Sequence, residues 1–380
     1  MSRTNSKILI LALAMVYGTA GHAVTIVPSP PSLDASSYLV MDFDSQELIV
    51  AHETEKRIEP ASLTKIMTVY VAAKELASGN ISLQDEVTVS EKAWRMEGSR
   101  MFIEVNKKVT VEDLLKGIVI QSGNDASVAL AEHIAGTEEV FAQVMNEYAR
   151  LLGMTGSHFV NSTGWPDENH YTTAMDMARL TRALIKEFPE EYVLHSIRDF
   201  TYNGITQNNR NQLLWREEGV DGVKTGHTDS AGYCLVASAL RDNMRLISVI
   251  TGTASDNDRI KSTQALLSFG FRFYETHKLY SANEVIQTGK VWKGAVEEVS
   301  LGLNRDLYIT IPRGAYKQLQ ATVDLQPAIT APLRSGEIKG TLKVSLDDKE
   351  ITSQPLYTLQ DVAEGSFFSR IKDEIMLWLE

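Results

Sequence analysis

The chain has 380 residues, a single cysteine at Cys234 and a formal charge of −12. That length favours two domains, the acidity argues against nucleic acid as a partner, and one cysteine excludes a disulfide framework. The histidines are scattered and no H-E-x-x-H or comparable spacing occurs, so no metal and no other cofactor is expected.

In chain order, Arg3 and Lys7 precede an apolar run from Ile8 to about Ala20 and small residues at Gly21 and Ala23. This is the pattern of a cleavable export signal over residues 1–23, too short to span a bilayer, which needs roughly 20 apolar residues. The prolines at 28, 30 and 31 predict an extended exit segment. Ser37–Asp44 and Glu47–Ala51, split by Asp44-Ser45-Gln46, predict a β-hairpin. From Pro60 to about Leu76, apolar residues recur at three or four and Gly79-Asn80 offers a stop, so a helix is predicted there. Further helical periodicity covers 111–120, 126–135, 138–152 and 174–188. Strand-rich stretches follow at 222–226, 232–239 and 244–251, and a helix is predicted over about 258–270. Strands at both ends of a helical middle predict a mixed sheet, with an antiparallel edge at 232–251 and helices packed on it, over residues 24–275. Short alternating segments such as Tyr308–Ile311, Thr322–Leu325 and Thr341–Leu346 predict a small all-β domain over 276–364. Residues 365–380 place Phe367, Phe368, Ile371, Ile375, Trp378 and Leu379 on one side of an amphipathic helix with an acidic excess.

Three short motifs carry chemistry. Ser62-Leu-Thr-Lys65 sets a hydroxyl and an amine three residues apart at a helix start, a nucleophile and its base within reach of helix N–H donors. The pattern is common: Ser369-Arg-Ile-Lys372 matches too, but on the polar side of the terminal helix. Ser-Gly-Asn occurs at Ser78–Asn80 and at Ser122–Asn124. The first lies roughly 24 Å along the same helix from Ser62 and reads as a C-cap, whereas the second sits in a turn between helices, where a hydroxyl and a carboxamide can enter a cleft. Lys224-Thr225-Gly226 lies on a predicted strand, and its glycine allows close approach to the backbone.

The ordered set Ser62, Lys65, Ser122, Asn124, Lys224 and Gly226 resembles the penicillin-binding protein and serine β-lactamase superfamily. The resemblance is nearest to the low-molecular-mass type-5 D-alanyl-D-alanine carboxypeptidases, and it spans nearly the whole mature chain. Glu59-Pro-Ala-Ser-Leu-Thr-Lys-Ile-Met-Thr68, Gln121-Ser-Gly-Asn-Asp-Ala126, Asn208-Asn-Arg-Asn211 and Asp221-Gly-Val-Lys-Thr-Gly-His-Thr-Asp229 carry it. It implies an α+β fold, with a β-lactamase/transpeptidase-like domain followed by the small β-domain. It also implies a serine carboxypeptidase that removes the terminal D-alanine from peptidoglycan stem pentapeptides through an acyl-enzyme on Ser62, with β-lactams acylating the same serine.

In that scheme Lys65, its proton affinity lowered by burial and the Lys224 cation, deprotonates Ser62. The N–H groups of Ser62 and His227 form the oxyanion hole, Ser122 relays a proton and Asn124 holds the substrate amide. Thr225 and Thr228 bind the terminal carboxylate, helped by Arg259 and Arg210. The resemblance also implies a periplasmic protein attached peripherally to the outer face of the cytoplasmic membrane through its terminal helix. Two alternatives stand beside this reading. One is a β-lactamase, which needs a deacylating base for which Glu168 is the nearest acid, although no E-x-x-L-N follows the Ser122 turn. The other is a non-catalytic wall-binding protein, which would be expected to have lost Ser62 or Lys65.

Overall fold

A computed structural model describes residues 26–379; the expected export signal lies outside the described residues. Five antiparallel strands form the central sheet, in the order Leu48–His52, Ser37–Asp42, Met244–Thr253, Gly232–Arg241, Val220–Thr228. Successive side chains of a strand point to opposite faces, so the first strand serves two cores. Leu39 and Met41 join Val236, Ile247 and Val249 under the helices Lys65–Ala77, Asn124–Ala135, Glu138–Leu151 and Ala174–Glu187. Tyr38 and Val40 join Leu235, Ala237 and Ile250 under the Asp256–Phe273 helix. Helices therefore cover both faces of the sheet, and every strand pair in it is antiparallel where the strand–helix–strand order alone predicts a mixed sheet.

Two predicted helices differ in detail, and both differences lie beside the motifs. The expected helix from Pro60 begins as a 3-10 turn over Ala61–Thr64 that runs into the α-helix at Lys65. The expected 111–120 helix is α-helical only over Val111–Lys116 and widens to a π-turn over Gly117–Gln121. Gly117 is what admits Met101 there: a Cβ on it would lie 2.3 Å from the Met101 sulfur.

The C-terminal β-domain holds a six-stranded sheet in which Leu319–Leu325, Ile338–Leu346, Lys349–Thr358, Glu298–Gly302, Gln287–Trp292 and Ile329–Thr330 are successive neighbours, over a core of Val299, Leu301, Leu342, Val344 and Leu356. The boundary expected after residue 275 falls inside a strand, Tyr274–Tyr280, which leaves the preceding helix without a linker and pairs with Leu307–Pro312. The two domains meet at a polar knot. Asp42, fully buried at the end of its strand, accepts from the Asp44 and Ser45 N–H groups at 3.0 and 2.8 Å, from Ser45 Oγ at 2.9 Å and from Thr276 Oγ1 at 2.6 Å. Thr310 Oγ1 lies 2.6 Å from Ser45 Oγ and 2.8 Å from Thr276 Oγ1.

Removing one member of such a buried network strands its partners, at about 1–3 kcal/mol each. Asp42→Ala is therefore expected to lower the urea midpoint and separate unfolding of the two domains, read by tryptophan fluorescence and circular dichroism. An unchanged midpoint would show that the knot contributes nothing to their coupling.

Candidate active site

The 3-10 turn determines how Ser62 meets Lys65. Side chains three apart eclipse one another in such a turn, and the Lys65 Nζ donates to Ser62 Oγ at 3.1 Å. Ala61, just before the serine, takes a left-handed φ of 47°, a conformation an alanine holds only where its surroundings impose it. Those surroundings are two glycines. Gly164, at φ 85°, lies so close that a Cβ on it would sit 1.7 Å from the Ala61 carbonyl oxygen. On the other side a Cβ on Gly226 would lie 3.0 Å from Pro60 O and 3.2 Å from Leu63 Cγ, so the Lys224–His227 segment runs directly against the Ser62 turn.

Lys65 is fully buried, and two more oxygens hold its ammonium: Asn124 Oδ1 at 2.7 Å and the Thr163 carbonyl at 2.7 Å. Burial pushes its pKa down to about 7, while the carboxylates of Asp125 and Glu138 oppose the fall. Lys65 and Lys224 repel each other, and burial first and the Lys65, Arg259 and Arg210 charges second hold Lys224 well below the ordinary lysine value. Lys224 is itself buried and donates to Thr225 O at 3.0 Å.

The π-turn delivers the second motif. It ends at Ser122, whose left-handed φ of 67° turns the hydroxyl out of the helix. That hydroxyl is buried, faces the cleft and has no hydrogen-bond partner among the described residues. Asn124 does more than the expected holding of a substrate amide: Oδ1 accepts from Lys65 while Nδ2 donates to Glu97 O at 2.6 Å. The Glu97 loop is in turn pinned by Asp125, which accepts from the Met101, Phe102 and Ile103 N–H groups at 3.0, 2.9 and 3.2 Å.

Ser62, Ser122, Arg210, Thr225, Gly226, His227 and Arg259 share one cleft of about 900 Å³. The two other expected ligands of a terminal carboxylate lie on or against the Gly226 strand. Thr228, the last residue of that strand, accepts through its hydroxyl from the Ala231 N–H at 3.0 Å and faces Ser230 and Glu59. Arg259 lines the cleft; it donates to Gly226 O and Cys234 O at 3.1 and 3.3 Å and pairs with Asp256, while its Nε has no partner among the described residues. Arg210 is exposed in the cleft and Thr225 sits beside it. Glu168 is exposed in the turn at residues 168–169.

The repeated motifs separate cleanly. Ser78 Oγ donates to Lys74 O at 2.9 Å and Gly79 turns left-handed, the capping role expected of that copy. Ser369 lies on the terminal helix Phe367–Leu379. Sequence reasoning missed the turn that supplies the third acceptor of Lys65. Asn161 Oδ1 accepts from the Thr163 N–H at 3.1 Å and the Gly164 N–H at 2.7 Å. His170, its pKa pushed down to about 4 mainly by burial, accepts from the Val160 N–H at Nδ1, which leaves Nε2 to donate to Thr64 Oγ1 at 2.8 Å. The turn-forming Asn161-Ser-Thr-Gly164 was the available signal.

A helix-covered antiparallel sheet with a buried lysine against a serine in its cleft defines a serine hydrolase of the penicillin-binding protein fold. The chain belongs to the D-alanyl-D-alanine carboxypeptidase family, whose model matches residues 24–255, and the penicillin-binding protein 5 C-terminal domain matches residues 274–364. It is similar to the D-alanyl-D-alanine carboxypeptidase DacC of Escherichia coli (strain K12), 42% identical over 374 residues, 96% of this chain and 94% of that one. Among solved structures, penicillin-binding protein 5 from Haemophilus influenzae aligns with a TM-score of 0.87 at 42% identity, over 89% of this chain and all 100% of that one. Penicillin-binding protein D2 from Listeria monocytogenes in the ampicillin-bound form aligns with a TM-score of 0.60 at 28% identity, over 64% of this chain and 100% of that one.

Gly164→Ala forces its new methyl into the carbonyl next to Ser62, and a shift near 1 Å in a reacting group costs about 10²-fold. Labelling by a fluorescent penicillin is expected to slow by about that factor. Gly79→Ala, at a similar φ of 71° but with nothing within 4 Å of the new atom, is expected to label at the wild-type rate. Equal rates for both variants would remove the steric role of Gly164.

Proposed function

We propose that Ser62 is the nucleophile and Lys65 the general base of a D-alanyl-D-alanine carboxypeptidase acting on peptidoglycan stem pentapeptides. The observation that carries this is the fully buried Lys65 amine, with a pKa of about 7, 3.1 Å from Ser62 Oγ. Near neutral pH a large share of that amine is free to take the Ser62 proton. The Ser62 oxygen then adds to the carbonyl between two terminal D-alanines, with the N–H groups of Ser62 and His227 receiving the oxyanion. Ser122, whose hydroxyl is unpartnered in the cleft, passes a proton to the departing D-alanine nitrogen with Lys224 beside it. Thr225 and Thr228 bind the substrate carboxylate, helped by Arg259 and Arg210, and water hydrolyses the ester. The strained ring of a β-lactam presents the same carbonyl to Ser62. The ampicillin-bound relative supports that reading.

Intact-protein mass spectrometry after brief exposure to a β-lactam tests this assignment. A persistent single adduct is expected on the wild-type chain and none on Ser62→Ala, whose fold should survive the loss of one half-buried hydroxyl. Adduct formation on Ser62→Ala would exclude Ser62, and rapid turnover without adduct would favour a β-lactamase.

The expected export signal and periplasmic location belong to the same proposal, with the terminal helix as a peripheral anchor. Among the described residues no helix is long and apolar enough to cross a membrane. Phe367, Phe368, Ile371, Ile375, Met376 and Trp378 are exposed on the terminal helix, Trp378 at 90%. Asp373 accepts from the Lys293 N–H at 2.6 Å, and Glu374, itself largely exposed, pairs with the Lys293 ammonium. Both described acids of the helix are thus engaged by the β-domain, while its aromatic residues stand outward. Apolar burial would drive attachment, with little sensitivity to salt. Full-length protein is expected to float with lipid vesicles at low and high salt, and a chain ending at Gly365 to stay behind with unchanged activity on a soluble peptide. Equal failure to float would remove the anchor.

A further inference from the structure

The third acceptor of the Lys65 amine, the Thr163 carbonyl, belongs to a turn whose position is set from outside the catalytic motifs. Glu138, the first residue of the Glu138–Leu151 helix and only 7% exposed, accepts through Oε1 from both the N–H and the hydroxyl of Ser162, at 3.0 and 2.7 Å. The Ser162 carbonyl accepts from Thr68 Oγ1 at 2.6 Å, one helical turn beyond Lys65. Ser162 is thus gripped on both sides, and the next carbonyl in the chain is the one on the amine. The other oxygen of Glu138 meets Lys92 Nζ at 3.0 Å, and Lys92 reaches outward to Glu139 at 2.9 Å. The first helical turn also favours a carboxylate at this position through the helix dipole.

We propose that Glu138 is a positioning residue for the general base: its carboxylate fixes Ser162, and so the Thr163 carbonyl, on the Lys65 amine, and its charge, offset from outside by Lys92, sets how readily that amine gives up its proton. This rests on the reading of Ser62 and Lys65 as nucleophile and base. Four groups face the amine from the elements around it. Asp125 comes from the Asn124–Ala135 helix and Glu138 from the next helix. His170, on the loop, is neutral near pH 7, and Lys224 faces from the opposite strand. Around Glu138 itself stand Lys92, Glu139, Ser162 and His170. Among the charges, the two carboxylates hold the proton on Lys65 against burial, and Asp125 is committed to the Met101–Ile103 loop. Glu138 is the one whose charge can be removed while its hydrogen bonds are kept.

The sign follows directly. Acylation needs neutral Lys65, so its rate rises with pH through the amine's pKa, and removing a nearby negative charge moves that limb to lower pH. The test measures acylation rate against pH for full-length protein with a chromogenic penicillin, with thermal melting of each variant alongside. Glu138→Gln keeps an oxygen for Ser162 and is expected to move the acid limb down by about half a unit or more with a similar plateau rate. Lys92→Met removes the outer counter-charge and is expected to move the limb up by less. Glu138→Ala loses the clamp as well, and its plateau is expected to fall about tenfold or more. An unmoved limb in Glu138→Gln, or limbs moving the same way in Glu138→Gln and Lys92→Met, would overturn the inference whatever the melting temperatures. A wild-type chain that takes up no penicillin at any pH would overturn the Ser62 reading itself and this inference with it.

Discussion

A lysine ammonium taken out of water and held by three oxygens is the constraint around which the catalytic domain is arranged. Burying an isolated charge is costly, and a lysine answers either by finding oxygen partners or by losing its proton. Lys65 does part of each. Ser62 Oγ, Asn124 Oδ1 and Thr163 O take its three N–H bonds, and its pKa falls to about 7. Each acceptor commits a different segment: the 3-10 turn, the helix after the π-turn, and the Asn161–Gly164 turn. Gly164 follows from that convergence, because a Cβ on it would run into the Ala61 carbonyl, and Gly226, on the neighbouring strand, lets Pro60 and Leu63 come close from the other side.

Two lysines buried near each other repel, and their other charged neighbours differ. Lys65 keeps nearby carboxylates in Asp125 and Glu138, which limit its fall. The charges acting on Lys224 are all positive, those of Lys65, Arg259 and Arg210. A carboxylate arriving in the cleft would relieve that excess, so substrate binding and the charge state of Lys224 are coupled by ordinary electrostatics. Arg259 lines the same cleft with its charge shared between Asp256 and two carbonyl oxygens, whereas Arg210 is exposed there.

Much of this was legible in the sequence where local pattern and tertiary role coincide. Apolar periodicity located the helices of the catalytic domain, alternation located the hairpin and the late strands, and Ser78-Gly-Asn80 read as a cap because a glycine and an asparagine end helices for local reasons. The Ser62, Ser122 and Lys224 motifs could be ordered by the element each sits on. What could not be read depends on contacts between distant segments. Nothing local marks Glu138 as the clamp of Ser162, since a glutamate in the first turn of an exposed helix is what capping preferences alone would place there. The left-handed Ala61 is equally silent, because the strain is imposed by Gly164 about a hundred residues away in sequence.

The junction with the β-domain and the terminal helix are built on one economy of charge. At the junction a buried carboxylate, Asp42, gathers donors from its own turn and from Thr276 of the second domain, so directional bonds tie the domains together there. At the far end Asp373 and Glu374 are turned onto Lys293, and Arg370 pairs with Glu364. A helix that existed only to complete the β-domain core would bury its apolar side and leave its charges in water, since apolar burial is the larger stabilising term. This one does the reverse. Charged groups tie it to the domain while its aromatic residues stand in solvent, an arrangement that is costly for an isolated molecule and becomes favourable once an apolar phase covers that face.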